Sequence, residues 1–148
     1  MPGIEVALPH YDGVVMNVCD VETDRAEILR IHELWNDVNR RWRLDGFEQY
    51  LTDDYVCFAG QGDVIRGLDA FLVEFEALSM LVKDEWSMEI TDRVIEVVGD
   101  AAWVHYEFAL RGKLDTELFN DRGRGTEIYR RTDRGWQMAV GHFSMRER

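Results

Sequence analysis

Cysteine, proline and long apolar runs are scarce in this 148-residue sequence. The cysteines, Cys19 and Cys57, are too few for a disulfide framework and lack zinc-site spacing, so we expect reduced, buried thiols. No apolar run approaches the roughly 20 residues that a membrane helix requires. The first residues lack the basic start, apolar core and small-residue cleavage site of a signal peptide. We therefore expect a cytoplasmic protein with no membrane partner.

Basic residues are also in deficit, since 17 Lys and Arg stand against 29 Asp and Glu, a formal net charge of −12. Nucleic acids are bound by neutralising their phosphates with Lys and Arg, so this balance argues against a nucleic-acid partner. The four histidines are far apart and form no His-x-x-x-His pattern, and the glycines form no phosphate loop. We expect no metal site and no cofactor.

Chain length and proline placement indicate one domain preceded by an arm. A chain of this length is sufficient for one core. Pro2 and Pro9 are the only prolines, so we assign residues 1–22 to an N-terminal arm and residues 23–148 to the domain. The arm is too apolar for a solvated tail, and we expect it to pack on another surface, such as that of a second subunit.

Helical periodicity occurs in two segments. From Asp24, apolar residues recur at three- and four-residue steps through Trp42, with Asp24 as the capping residue and Gly46 as the stop. Residues 47–59 have the pattern of a short helical turn followed by a strand. A second amphipathic helix follows Gly67.

Alternating patterns predict antiparallel strands in the remainder of the chain. Gly99 and Asp100 suit a tight hairpin turn, and residues 132–135 turn a final hairpin. The segment between these hairpins, residues 114–125, has the composition of a polar loop. Because helices and strands are segregated along the chain, we predict the α+β class rather than a parallel α/β sheet.

The apolar stripe of the last strand ends in a histidine. Five residues share one face of that strand if it is evenly extended: Trp136, Met138, Val140, His142 and Ser144. A turn at 132–135 places Glu127 on the same face, where it would orient His142 as a general base. A one-residue change of the turn would move Glu127 to the other face. Alternatively, His142 is the polar rim of a core strand and Glu127 is a solvated carboxylate.

Aromatic and apolar side chains are expected to surround His142 in a pocket. The expected lining is Tyr55, Phe58, Tyr106, Phe108, Tyr129, Trp136, Met138 and Val140. Tyrosine hydroxyls in such a pocket would donate hydrogen bonds to a developing oxyanion. His105 is out of phase with the apolar residues of its strand, and we expect it at the surface or at an interface.

Four segments resemble the nuclear transport factor 2-like superfamily, in particular its SnoaL-like branch. They are "DGFEQYLTDDYVCFAG", "IRGLDAFLVEFEAL", "VVGDAAWVHYEF" and "RGTEIYRRTDRGWQMAVGHFS", and the resemblance covers about residues 24–146. The last segment is also similar to the closing hairpin of the calcium/calmodulin-dependent kinase II association domain. Its turn, Asp133-Arg134-Gly135, is a small departure from the usual Asp-Gly-like turn.

The resemblance implies a cone, in which a curved antiparallel sheet wraps around helices and leaves an apolar pocket. It also implies a homodimer formed through the outer face of the sheet, where Trp103, His105 and Phe143 would meet the partner. Similar proteins include polyketide cyclases, steroid isomerases, epoxide hydrolases and dehydratases, and also assembly domains without catalytic activity. The fold is therefore better defined by the resemblance than the function is.

Two hypotheses for function follow. In the first, the protein is a cofactor-free isomerase, cyclase, dehydratase or hydrolase that acts on a small apolar or aromatic molecule. His142 is then the base, Glu127 its orienting partner and Tyr106 a hydrogen-bond donor. The resemblance adds Trp35 and Asn39 of the first helix to the pocket, and a tight turn at Gly99-Asp100 would place Arg93 opposite Tyr106 as a cation in it. In the second hypothesis, the protein is a non-catalytic ligand-binding or homo-oligomeric assembly module.

Overall fold

The computed structural model describes residues 18–59 and 62–146. The elements in chain order are helix α1 (Val18–Arg41), a 3-10 turn (Phe47–Tyr50), β1 (Leu51–Ala59), β2 (Ile65–Arg66), α2 (Leu68–Ser79), β3 (Ser87–Val98), β4 (Ala101–Leu114), β5 (Glu117–Thr132) and β6 (Gly135–Met145). Two helices pack with one curved, unclosed sheet, which confirms the predicted α+β class.

The predicted arm falls mainly outside the described residues. Residues 1–17 are not described, whereas residues 18–22 are helical and belong to α1. None of the helices in the described part of the chain is long and apolar enough to cross a membrane.

The six strands form one sheet in the order β2-β1-β6-β5-β4-β3. Neighbouring strands are antiparallel except β1 and β6, which run parallel, so the sheet is mixed rather than wholly antiparallel as predicted. The chain reaches β6 from β1 only after α2 and three further long strands, and so long a connection permits parallel pairing.

The inner face of the sheet carries the core, as the alternation in β4 predicts. Val104, Tyr106 and Phe108 are each at most 5% exposed, and they pack with α1 residues such as Ile31 in one hydrophobic cluster. Trp103, on the outer face of the same strand, is 38% exposed. The two faces of β4 are therefore distinct, and the inner one positions the site.

Both ends of α1 differ from the prediction. The helix begins at Val18, so Asp24 lies inside it and is not its cap. It ends at Arg41, because Trp42 has a positive φ of 52° and takes the backbone out of the helix. Gly46, the predicted stop, instead precedes the 3-10 turn with a φ of 90°.

The polar loop predicted at residues 114–125 is wrong. The chain turns at Asp115, which has a φ of 54°, and then pairs continuously with β4. Polar side chains such as Arg122 and Arg124 are exposed, while Gly123 and Gly125 take the buried positions between them. The glycines that made this segment resemble a loop are therefore residues of the inner face.

The final hairpin has the predicted turn but a different register beyond it. Tyr129 pairs with Met138 as predicted, but Ala139 is an extra residue in β6, and Glu127 then pairs with Gly141 instead of Val140. Such a bulge reverses the alternation of the strand that carries it. His142 pairs with Thr126, so His142 and Glu127 point to opposite faces of the sheet.

An ion-pair cluster joins α1 to the final hairpin. The Arg131 guanidinium donates to both carboxylate oxygens of Asp24, at 3.1 and 2.6 Å, and the Trp136 indole donates to the same carboxylate at 3.0 Å. Arg131 also lies over the Trp136 ring, 4.4 Å from its centroid. The hydrogen bond from Arg131 is the main reason that the pKa of Asp24 is lowered.

We predict that Asp24→Asn lowers the free energy of unfolding by about 1–2 kcal/mol at neutral pH, because it weakens the hydrogen bonds of Arg131 and Trp136. The lowered pKa of Asp24 means that its contribution is present at neutral pH and is lost as the pH falls. Urea unfolding at several pH values should therefore show a difference from wild type that shrinks in acid. Glu22→Gln, which changes an exposed pair with Arg25, is the control and should be nearly neutral. Equal effects of the two variants would contradict this account.

Candidate functional site

An apolar cavity of about 110 Å³ lies between α1 and the inner face of the sheet. Its lining residues come from α1, from the segments that flank α1 and β3, and from β1, β3, β4, β5 and β6: Trp35, Asn39, Trp42, Tyr55, Cys57, Trp86, Met88, Tyr106, Phe108, Leu110, Glu127, Gly141, His142, Phe143 and Met145. Mainly apolar pockets with a few polar groups are typical ligand sites. A cavity of this order, about 150 Å³, holds a benzene ring in another protein.

A buried carboxyl group is the polar centre of this site. Glu127 is 3% exposed, and the Tyr106 hydroxyl donates to its Oε1 atom at 2.6 Å. His32 is fully buried, and its Nε2 lies 3.3 Å from the other oxygen, Oε2, without hydrogen-bond geometry. The His32 ring contacts Tyr106 edge-on, with centroids 4.7 Å apart. One carboxyl oxygen is thus held by a hydrogen bond and the other retains accepting capacity.

Burial raises the pKa of each tyrosine hydroxyl around Glu127. For Tyr55, Tyr106 and Tyr129 the largest cause is the loss of solvent, and the nearby Glu127 charge raises the pKa further. These phenols therefore stay protonated at neutral pH and act as donors. Burial also raises the pKa of the Cys57 thiol, so this cysteine is a poor nucleophile in the site.

Two glycines let the tyrosine rings lie directly on the sheet. A Cβ atom at Gly125 would be 2.2 Å from the Tyr106 ring, and one at Gly141 would be 2.3 Å from the Tyr55 hydroxyl. Real Cβ atoms do not approach other atoms so closely, so a side chain at either glycine would clash with the tyrosine that lies against it. Gly125 therefore supports the position from which Tyr106 reaches Glu127.

Residues 28–146 match the family model of the SnoaL-like domain. The chain belongs to the SnoaL-like domain family. This confirms the resemblance seen in the sequence and places the cavity in a fold of known type. A search of the curated proteins found no match.

Solved structures of other SnoaL-like or NTF2-like proteins share the fold. An NTF2-like protein from Pseudomonas putida KT2440 is 25% identical with a TM-score of 0.73, over 83% of this chain and 87% of that one. One with a cystatin-like fold from Novosphingobium aromaticivorans is 14% identical with a TM-score of 0.69, over 86% and 84%. A ketosteroid isomerase-like protein from Erwinia carotovora atroseptica is 18% identical with a TM-score of 0.69, over 84% and 98%.

Several residues predicted for the pocket of this SnoaL-like domain meet at the cavity. They are Trp35, Asn39, Tyr55, Tyr106, Phe108 and Glu127. Asn39 also donates from Nδ2 to the Trp35 carbonyl at 3.1 Å, so part of its amide is used within α1. Most of these residues were predicted from two patterns: the inward-facing alternation of β4 and the helical periodicity of α1.

The predicted pairing of Glu127 with His142 is wrong. His142 borders the cavity, but its side chain is exposed, and its ring contacts Phe58 with centroids 6.0 Å apart. The bulge at Ala139 is the cause, because it turns His142 away from the inner face and brings Phe143 onto it. Phe143, expected at the dimer interface, therefore lines the cavity instead.

The remaining predicted pocket residues do not line the cavity. Tyr129, Trp136 and Met138 are at most 4% exposed and lie in the core, while Val140 pairs with the outward Ile128 and Phe58 is 39% exposed. Evenly spaced alternation cannot separate lining residues from fully packed ones, because both face inward.

Arg93 was predicted to supply a cation opposite Tyr106. The register shift between Thr91 and Val94 of β3 does place Arg93 near the level of Tyr106 in the sheet. Its Nη1 atom, however, lies 3.4 Å from Oε1 of Glu33 on α1. Arg93 is therefore engaged with the helix and does not line the cavity.

The predicted site residues did not include His32, Trp42 and Trp86; for His32 the sequence favoured the edge of the first helix over the lining of the pocket. His32 was visible as a polar residue next to the apolar stripe of α1, and its complete burial is the signal that only the structure supplies. The ring of Trp42, just after α1, contacts the ring of Trp86, just before β3, edge-on, with centroids 5.3 Å apart. Within residues 18–59 and 62–146, no group of three His, Cys, Asp or Glu is placed to hold a metal ion.

We predict that Tyr106→Phe lowers the free energy of unfolding by about 1–3 kcal/mol, because it leaves a buried carboxyl oxygen without its donor. Tyr129→Phe is the matched control: the Tyr129 hydroxyl is equally buried but has no hydrogen-bond partner, so its removal should be neutral or stabilising. Urea unfolding of both variants measures the difference. A larger loss for Tyr129→Phe would contradict the assigned hydrogen bond.

Proposed function

We propose that this SnoaL-like protein binds a small, largely apolar molecule in the cavity and that Glu127 exchanges a proton with it, without a cofactor. One observation carries the proposal: a carboxyl group that is 3% exposed lines a mainly apolar cavity and is held there by a hydrogen bond from Tyr106. Burying a carboxyl group in such surroundings is costly, and sites of this kind are commonly functional.

The chemistry supported by these groups is general acid/base catalysis. Glu127 Oε2 has no hydrogen-bond partner and is the oxygen available to accept a proton from bound substrate. Tyr106 holds Oε1, and the hydroxyl of Tyr55, which interacts with the Cys57 thiol, is a second protonated phenol suited to a developing oxyanion. The Nε2 atom of His32 lies 3.3 Å from Oε2. Glu127 thereby takes over the role that the sequence suggested for His142.

A structural neighbour is consistent with this reaction class. The protein from Erwinia carotovora atroseptica is described as ketosteroid isomerase-like. Ketosteroid isomerase abstracts a proton with a carboxylate base and stabilises the resulting charge with a tyrosine and a protonated carboxyl group. We therefore propose proton abstraction next to a carbonyl group as the first reaction to test.

Deuterium exchange from D₂O into the α-carbon of small cyclic ketones, followed by NMR, measures this activity. We predict exchange above the buffer rate with wild-type protein and a loss of at least about 100-fold in Glu127→Gln. Glu107→Gln is the matched control, because Glu107 lies on the outer face and pairs with Arg124 at 3.2 Å. Its exchange rate should equal that of wild type.

The same assay separates the alternatives. A loss in His142→Gln as large as that in Glu127→Gln would return the base role to His142. Binding of the ketones without exchange in wild-type protein would support the non-catalytic ligand-binding hypothesis and contradict the acid/base proposal.

We also propose that two copies associate through the outer face of the sheet. Trp103 and Ile128 are paired neighbours on this face and are 38% and 41% exposed, and Val98 beside them is 60% exposed. Exposed apolar patches of this kind often mark protein–protein interfaces. NTF2-like proteins also often dimerise, which supports association of two copies.

Light scattering of wild-type protein should give the mass of a dimer, and Ile128→Arg should give a monomer, because a buried unpaired charge opposes association. Val73→Arg is the control: Val73 is 67% exposed on α2, away from the outer sheet face. A monomeric wild type, or a dimer that survives Ile128→Arg, would contradict the proposed interface.

A further inference from the structure

The cavity wall carries a single formally charged side chain among its described Asp, Glu, Lys and Arg residues. Among the described residues that line the cavity, Glu127 is the only Asp, Glu, Lys or Arg. Much of the remaining wall is aromatic and includes Trp35, Trp42, Trp86 and Phe143. A ligand therefore meets one carboxyl group and several π-systems, and it meets no guanidinium or ammonium group.

No Arg or Lys among the described residues is paired with Glu127. Arg93, on β3, pairs with Glu33 of α1, and its charge partly offsets the rise that burial causes in the pKa of Tyr129, but it forms no ion pair with Glu127 among the described contacts. Tyr106 supplies one neutral donor, and His32 faces Oε2 without making a hydrogen bond. The Glu127 carboxyl group thus retains one accepting oxygen without a hydrogen-bond partner in a mainly apolar environment.

We infer that the ligand of this cavity is a small organic cation, the protonated form of a mainly apolar amine. Its ammonium group donates to Glu127, and its charge and carbon atoms lie against the aromatic walls. Carboxylates strengthen hydrogen bonds from ammonium groups, and aromatic rings attract cations through their negatively charged faces. This inference rests on the proposed function, since it names the ligand class of the same pocket; a substrate of the proposed reaction then carries a carbonyl group as well as the amine.

Size and overall charge support the same class. The cavity of about 110 Å³ limits the enclosed part of the ligand to roughly one ring. The formal net charge of −12 raises the local concentration of cations and opposes the approach of anions. Carboxylic acids of equal size are disfavoured for two reasons. The protein has a negative net charge, and the cavity offers them another carboxyl group, that of Glu127.

Calorimetric titration with three compounds that share one ring tests the inference: benzylamine, benzyl alcohol and benzoate, at neutral pH and low salt. In wild-type protein we expect benzylamine to bind about tenfold more tightly than benzyl alcohol, because its hydrogen bond to Glu127 is charge-assisted and the hydrogen bond of the alcohol is not. Benzoate should bind least. In Glu127→Gln the preference for the amine should fall to less than about threefold, whereas Glu107→Gln should retain it.

The outcomes distinguish this inference from the proposed function. Equal or weaker binding of benzylamine than of benzyl alcohol would overturn the cation assignment, as expected if His32 already balances Glu127, and would leave the pocket proposal standing. A preference for the amine that persists in Glu127→Gln would also overturn it. Failure of all three compounds to bind would contradict both proposals. The comparison of ligands in wild-type protein does not depend on the folding of any variant.

Discussion

The hydrogen bond from Tyr106 to Glu127 is the interaction on which the site depends. A carboxyl group in an apolar core is costly unless its oxygens are satisfied, and this contact of 2.6 Å satisfies one of them. It joins β4 to β5 on the inner face of the sheet, directly beneath α1. The other oxygen lies near His32, and the residue lines the cavity, so a single carboxyl group serves both the architecture and the proposed chemistry.

Backbone features, rather than further polar contacts, make this arrangement possible. Gly125 on β5 gives the Tyr106 ring room to lie against that strand, and Gly141 on β6 does the same for the Tyr55 side chain. The extra residue Ala139 brings Gly141 opposite Glu127, because without it the larger Val140 would occupy that position. Both glycines are therefore required by close packing and not by turn geometry.

Most of the fold was predictable from the sequence, and the details of the site were not. The alternation in β4 correctly placed Tyr106 and Phe108 inward, and the turn at 132–135 correctly fixed the pairing of Tyr129 with Met138. Ala139 has no distinctive sequence signal, so the bulge and the outward turn of His142 could not be inferred. The composition of residues 114–125 suggested a loop, because inward glycines and outward arginines are also typical of loops.

The central claim is that Glu127 is the polar contact of a ligand-binding cavity. The most direct measurement is an NMR titration of protein labelled with carbon-13 at the glutamate side-chain carboxyls, using benzylamine as the ligand. The account predicts that one carboxyl resonance shifts in a saturable way and that this resonance is missing from Glu127→Gln. If saturation with benzylamine moved no glutamate resonance, or moved one that persists in Glu127→Gln, the claim would be contradicted.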